Sequence, residues 1–226
     1  DGLDTVEDIV AEAARRGYSY VAVSDHTAYH VAAHGLSAER LLAQWEAIDR
    51  LQMRYPSIAI LEGAEVDILP DGTLDIADDV LRKADIVLAS VHKHADVEPR
   101  MLTRRLIRAM ENPHVDVLAH PTGRSVGKSD YRVDVEELLC AAARLGVALE
   151  INCAPNRLDL DEESVRRCVD LGIALAIGSD AHSVGEMDQF SLGVGVAQRA
   201  RCTSHNILNA RSPRELRAWL DWHRNH

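Results

Sequence analysis

The residues that could do chemistry in this chain are histidines and acids, and they stand where short apolar runs end. Ile173–Ile177 leads through Gly178-Ser179 into Asp180-Ala181-His182. An Asp-x-His pair offers two hard-to-borderline ligands whose side chains can leave the backbone on the same side. The pattern then repeats. Val21-Ala22-Val23-Ser24 runs into Asp25-His26, and Ile58–Ala64 into Glu65. Ile86–Val91 runs into His92 and His94, Val115–Ala119 into His120, and Val147–Leu149 into Glu150 and Asn152. Any one of these endings reads as the start of a polar loop. Six together read as a set of metal ligands.

Short continuous runs of Val, Ile, Leu and Ala are the signature of strands buried on both faces, as in a parallel sheet. Amphipathic stretches of helical length separate them, so the chain is built of βα units. In a parallel barrel every strand C-terminus opens on one face, and that face carries the active site. Ligands far apart in sequence therefore converge without a local motif.

The helices are marked by their stripes and caps. Thr5–Arg16 carries Val6, Ile9, Val10 and Ala13 on one side and stops at Gly17. Ser37 caps a helix to Tyr55, Asp134 one to Gly146, and Asp161 one to Gly172. Asp78–Lys83 is a short helix, and Glu98–Asn112 is a longer one. The arginines of the longer helix, Arg100, Arg104, Arg105 and Arg108, are expected on a solvated face. Ser212-Pro213-Arg214-Glu215 is a capping box opening a C-terminal helix through Leu220. Gly193-Val194-Gly195-Val196 reads as a last short strand, and His30 and His34 as solvated rim residues. A helix comes before the first strand, whereas a barrel normally starts with a strand. The reading therefore expects a further strand ahead of Asp1.

With 226 residues the chain suits one large domain, residues 1–226, with a substantial core. No apolar run reaches membrane-spanning length, so no membrane partner is expected. The four cysteines show no CxxC spacing, which points to a reducing, cytoplasmic setting. Cys140 and Cys168 are expected to pack as small apolar groups. A net charge of -11 argues against unaided binding to DNA, which needs Lys and Arg to neutralise phosphates.

Several segments together resemble the polymerase and histidinol phosphatase (PHP) domain: Ser24-Asp25-His26, Glu62-Gly63-Ala64-Glu65-Val66-Asp67, Ser90-Val91-His92, Ala119-His120-Pro121-Thr122-Gly123-Arg124 and Ser179-Asp180-Ala181-His182. The His-Pro-Thr-Gly-Arg segment, the run Glu150–Leu160 and the Gly-Val-Gly region look most like the C-terminal PHP domain of bacterial family X DNA polymerases. The resemblance covers the whole chain. It implies an α/β fold, a distorted (βα)7 TIM-like barrel, holding a cluster of up to three divalent metals, Mn or Zn. By position, Asp1, His26, Glu65, His92, His120, Asp180 and His182 would be the ligands, with Glu65 bridging two ions. Glu65, His92, Asp180 and His182 would carry catalysis. The His-x-His pair of the family's first strand has no counterpart in the sequence, so that strand is the one missing.

These residue types suit hydrolysis of a phosphate ester, in which clustered cations hold the phosphoryl oxygens and acidify a water. Arg124, Lys128 and Arg157, in loops after strands, are candidate phosphate contacts. The expected function is that of a 3'-5' exonuclease acting on DNA 3' ends beside a polymerase domain in the same natural chain. The alternatives are a free-standing phosphomonoesterase of the histidinol-phosphatase type and a non-catalytic domain that supports a polymerase.

Overall fold

A computed structural model describes residues 2–126 and 132–225. Six parallel strands form one curled sheet in sequence order: β1 (Tyr20–His26), β2 (Ala59–Asp67), β3 (Ile86–Ser90), β4 (Val117–Leu118), β5 (Ala148–Asn152) and β6 (Leu175–Gly178). Each matches one of the six apolar runs. The α-helices are α1 (Val6–Arg15), α2 (Ala38–Gln52), α3 (Asp78–Leu81), α4 (Pro99–Met110), α5 (Val135–Leu145), α6 (Glu162–Leu171), α7 (Phe190–Arg199) and α8 (Pro213–His223). The result is an open barrel. Among the described residues β1 and β6 are edge strands, and both line one cavity of about 610 Å³.

The helix ends fall where the side chains can satisfy them. Asp134 and Asp161 accept from the backbone N–H groups of Glu137 and Ser164, and Gly146 and Gly172 close their helices in the left-handed region. Ser212 and Glu215 form the expected reciprocal capping box. Such an N-cap contributes about 1 kcal/mol.

Alternation along the strands sorts the two faces. Ala64, Val66, Val87, Ala89, Leu149 and Ile151 join the large core between sheet and helices. Leu61, Ile86, Val117 and Ala148 face the barrel interior, where Leu208, Leu216 and Leu220 of the C-terminal segment pack against them. The N-terminal end of the barrel is thus plugged by apolar side chains. Two to four positions further along β2, β3 and β5 the same interior face turns polar, at Glu65, Ser90 and Glu150.

Three expectations are corrected. Gly193–Val196 lies within helix α7, because Gly193, Val196, Ala197 and Ala200 are buried at helical spacing. Gly193 is there for close approach: a Cβ would overlap Cys153 Sγ and crowd Ile177. Cys140 is exposed, since α5 buries Leu138, Leu139, Ala141 and Ala142 instead; Cys168 is buried as expected. Arg105 is not on a solvated face. It is 5% exposed, and its guanidinium donates to the carbonyls of Ile68, Leu69 (2.8 Å), Lys93 (3.0 Å) and His94 (2.9 Å).

Candidate metal centre

Glu65 is the centre of the polar end. It leaves β2 on the interior face directly opposite His26 of β1. Its Oε1 lies 3.0 Å from His120 Nε2 and 3.4 Å from His92 Nε2, and its Oε2 lies 3.6 Å from His26 Nδ1. One buried carboxylate is thus ringed by three imidazoles from three strand ends. Burial opposes ionisation of Glu65, but hydrogen bonds from His120 and His92 outweigh it and hold the carboxyl well below its usual range. At His92 burial likewise disfavours the charged ring. The Asp67 and Glu65 carboxylates reverse that and raise it to about 9. His26 is depressed by burial, against the pull of Glu65.

Backbone geometry aims these side chains. His120 and Asp180 adopt left-handed φ values of 65° and 51°, a conformation that His and Asp tolerate better than most residues. Held in ordinary folds this costs on the order of 1–3 kcal/mol each, and such positions cluster at functional sites. Gly178 serves the same end, because a Cβ there would overlap Glu150 Oε1.

On the far side of the interior, Asp180 Oδ2 accepts from Asn152 Nδ2 at 3.1 Å and lies 3.6 Å from Arg157 Nε. The imidazole of His182 turns back on its own segment, Nδ1 sitting 2.8 Å from the Asp180 carbonyl oxygen, and its ring centroid is 6.2 Å from that of His26. Glu150 is buried between Asn152 and Gly178. Burial, then the charges of Asp180 and Glu65, push its carboxyl well above the ordinary range. Arg124 is exposed and donates to the Leu158 carbonyl at 3.3 Å, while its backbone N–H meets Asp159. Asp1 and Lys128 lie outside the described residues.

Three residues of this constellation are not among the ligands that the resemblance implies. Asp67, fully buried, places Oδ1 3.1 Å from His92 Nδ1 and so orients that ring toward Glu65. The signal was available: Asp67 stands two residues after Glu65, on the same face of the strand. Glu150 also ends a strand facing inward. The third is His30. It is no solvated rim residue: its ring stacks on His92 with centroids 4.1 Å apart, because the loop after β1 folds inward. His34, at φ 54°, stands on that loop's return.

The donor set suits a divalent metal. The ligand atoms of Glu65, His92 and His120 lie within 4.8 Å of one another, as do those of His26, His30 and His92. The Nδ1 atoms of His26, His30 and His120 are buried without a hydrogen-bond partner, although burying such an atom unpaired costs about 1–3 kcal/mol. Imidazole and carboxylate together bind several first-row divalent ions, and do not by themselves choose between Mn and Zn.

No family model matches the chain. Individual proteins do. The DNA polymerase/3'-5' exonuclease PolX of Bacillus subtilis is 40% identical over 97% of this chain, which spans 39% of that protein's length. A protein of Syntrophotalea carbinolica named as a probable phosphatase is 30% identical, with 96% of this chain and 88% of that protein covered. Among solved structures, the histidinol phosphate phosphatase of Lactococcus lactis, crystallised with zinc, L-histidinol and phosphate, superposes with a TM-score of 0.66 at 18% identity, covering 90% of each chain. The fold, the strand-end constellation and full-length similarity at this level agree: the chain belongs to the polymerase and histidinol phosphatase (PHP) domain family.

Proposed function

We propose that this chain is a metal-dependent phosphoesterase whose centre is built on Glu65, His26, His92, His120, Asp180 and His182, with Asp1 as a further ligand. The observation that carries this reading is the buried Glu65 carboxylate facing three imidazoles at the C-terminal ends of the strands. A divalent metal held there would neutralise phosphoryl oxygens and acidify a water. The protein's own part is positioning. Glu65 and Asp180 supply negative charge from opposite sides of the interior, Asn152 fixes the Asp180 carboxylate, and Asp67 fixes the His92 ring. Arg157 and Arg124 stand in loops at the same end and are the proposed phosphate contacts, with Lys128. Mn and Zn both remain in this reading, with up to three ions.

The preferred substrate in this proposal is a DNA 3' end, cleaved as a phosphodiester by a 3'-5' exonuclease beside a polymerase domain of the same natural chain. The similarity to the B. subtilis polymerase supports it. A net charge of -11 is poor footing for holding DNA alone, so the polymerase part would supply the grip. One observation favours a second reading, a free-standing phosphomonoesterase: this chain covers 88% of the S. carbinolica relative. No helix among the described residues is long and apolar enough to cross a membrane, and a cytoplasmic setting is part of the proposal.

Hydrolysis of a 3'-labelled oligonucleotide is to be compared with that of histidinol phosphate, using Asp180→Asn and His182→Ala as controls. Preference for the oligonucleotide, lost in both variants with the circular dichroism spectrum unchanged, is the expected result. Preference for the monoester selects the second reading. Unchanged turnover in both variants removes the site.

A further inference from the structure

We propose that His30 is a metal ligand, holding a divalent ion together with His26 and His92 and biasing that position toward zinc over manganese. The proposal rests on the metal-centre reading and adds to it a residue on the loop after β1.

The loop is built to deliver this ring. Thr27 Oγ1 donates to Asp75 Oδ1 at 2.7 Å, and the Tyr29 N–H donates to Asp75 Oδ2 at 3.2 Å. Lys93 Nζ donates to the Tyr29 carbonyl at 2.5 Å and lies 4.5 Å from the Tyr29 ring centroid. The returning strand is tied down by Leu36 N–H to the His26 carbonyl at 2.7 Å. Gly35 permits the close return, since a Cβ there would overlap the Thr27 carbonyl. Contacts from β1, the segment after β2 and the segment after β3 thus fix the residue between them.

His30 meets two rings of the centre at once. It stacks on His92 with an interplanar angle of 9° and stands edge-on to His26 at 4.8 Å between centroids. Packing alone would be met by an apolar side chain of similar size. It would not bury the Nδ1 atoms of both His30 and His26 without partners, at a cost of about 1–3 kcal/mol each. Two nitrogens bound to one zinc at about 2.0–2.1 Å cannot lie more than about 4.2 Å apart. The three donors here lie within 4.8 Å of one another, so small side-chain rotations would bring them into range. Imidazole suits zinc, whereas carboxylate and water suit manganese, so an added imidazole moves the preference toward zinc.

The test uses metal-stripped full-length chain. Zinc is titrated in competition with a chromogenic chelator, and manganese by the electron paramagnetic resonance signal of the free ion. His30→Leu and His30→Gln are compared with wild type, with His92→Ala as the control for the central set. Both His30 variants are expected to weaken one zinc by at least about 10-fold, the smaller end of the loss seen when a ligand's outer partner is removed. The loss for manganese is expected to be smaller. Should His30→Leu fail to fold by circular dichroism, His30→Gln decides. Wild-type zinc affinity and stoichiometry in a folded His30 variant, with loss in His92→Ala, overturns this proposal and leaves the central reading standing. Equal losses for both metals support the ligand and overturn the zinc bias. No zinc bound by wild type overturns both readings.

Discussion

The Nε2 atom of His120 lies 3.0 Å from Oε1 of Glu65, and both residues are at most 7% exposed. A carboxylate on β2 and an imidazole just after β4 face each other across the barrel interior. Buried charge of this kind persists when it is paired or coordinates a metal. Ligands gathered from three strands can hold an ion only in the folded chain, so ion binding is linked to folding.

The first prediction follows from that linkage. Stripping metal with a chelator should lower the melting temperature, because an ion present at about 100 times its Kd contributes roughly 2.7 kcal/mol. For a chain of this size that is a fall of roughly 5–10 °C. Differential scanning calorimetry with and without added Mn or Zn checks it. Identical melting in both conditions, with metal content verified, contradicts a metal centre at Glu65.

Asp67 should matter although it makes no contact with Glu65 in the network. Its Oδ1, 3.1 Å from His92 Nδ1, selects which ring nitrogen points toward Glu65. Outer partners of this type typically contribute 10–100-fold in metal affinity. Asp67→Ala is expected to weaken metal binding by about that factor, measured by chelator competition. Asp67→Asn, which keeps an acceptor oxygen, should lose less. An Asp67→Ala variant with wild-type affinity would show that His92 is oriented by packing alone.

Arg105 is a strut between the segments that follow β2 and β3. It joins the carbonyls of Ile68 and Leu69 to those of Lys93 and His94, next to Asp67 and His92. Arg105→Met keeps the aliphatic stem but leaves buried acceptors short of donors. The expected loss is at least about 2 kcal/mol in urea denaturation. Metal affinity should fall with it, since both loops carry the centre. A stability change below about 0.5 kcal/mol would mean that water replaces the guanidinium freely.

These relationships differ in how far the sequence reveals them. The βα alternation is legible because parallel strands buried on both faces are continuous apolar runs, and Glu65, His92 and His120 stand where those runs end. Arg105 carried a usable signal: it follows Leu102 by three residues and precedes Ala109 by four, on the apolar stripe of α4. Its type suggested solvent, and the carbonyls that receive it come from loops whose meeting is a tertiary fact. His30 carried less. Its four-residue spacing from His26 suits a helix, but the segment is a loop folded by Asp75 and Lys93, residues about 45 and 63 positions further on. Gly193–Val196 shows the limit of short patterns. Four residues alternating small and branched fit a strand, but the buried positions here fall at helical spacing, with Gly193 closely approaching Cys153 and Ile177.

The last prediction concerns pH and a carboxylate away from the centre. Glu62 sits on β2 with its Oε1 buried and without a hydrogen-bond partner. Burial, then the charges of Asp49 and Asp85, raise its pKa from 4.5 to about 7, with Arg217 opposing. Between these two values the folded chain holds a proton that the unfolded chain has released. Stability therefore falls as pH rises through this window, and the penalty is complete above about pH 7. The side chain is partly exposed, so solvent screening reduces the effect to roughly 1–2 kcal/mol. Glu62→Gln cannot ionise and should remove that slope. It is expected to stabilise the chain by about this amount at pH 8 and to change little at pH 4. Urea denaturation of both proteins at the two pH values checks it. A variant that is equally stable relative to wild type at both would mean that Glu62 ionises in the fold as it does in the unfolded chain.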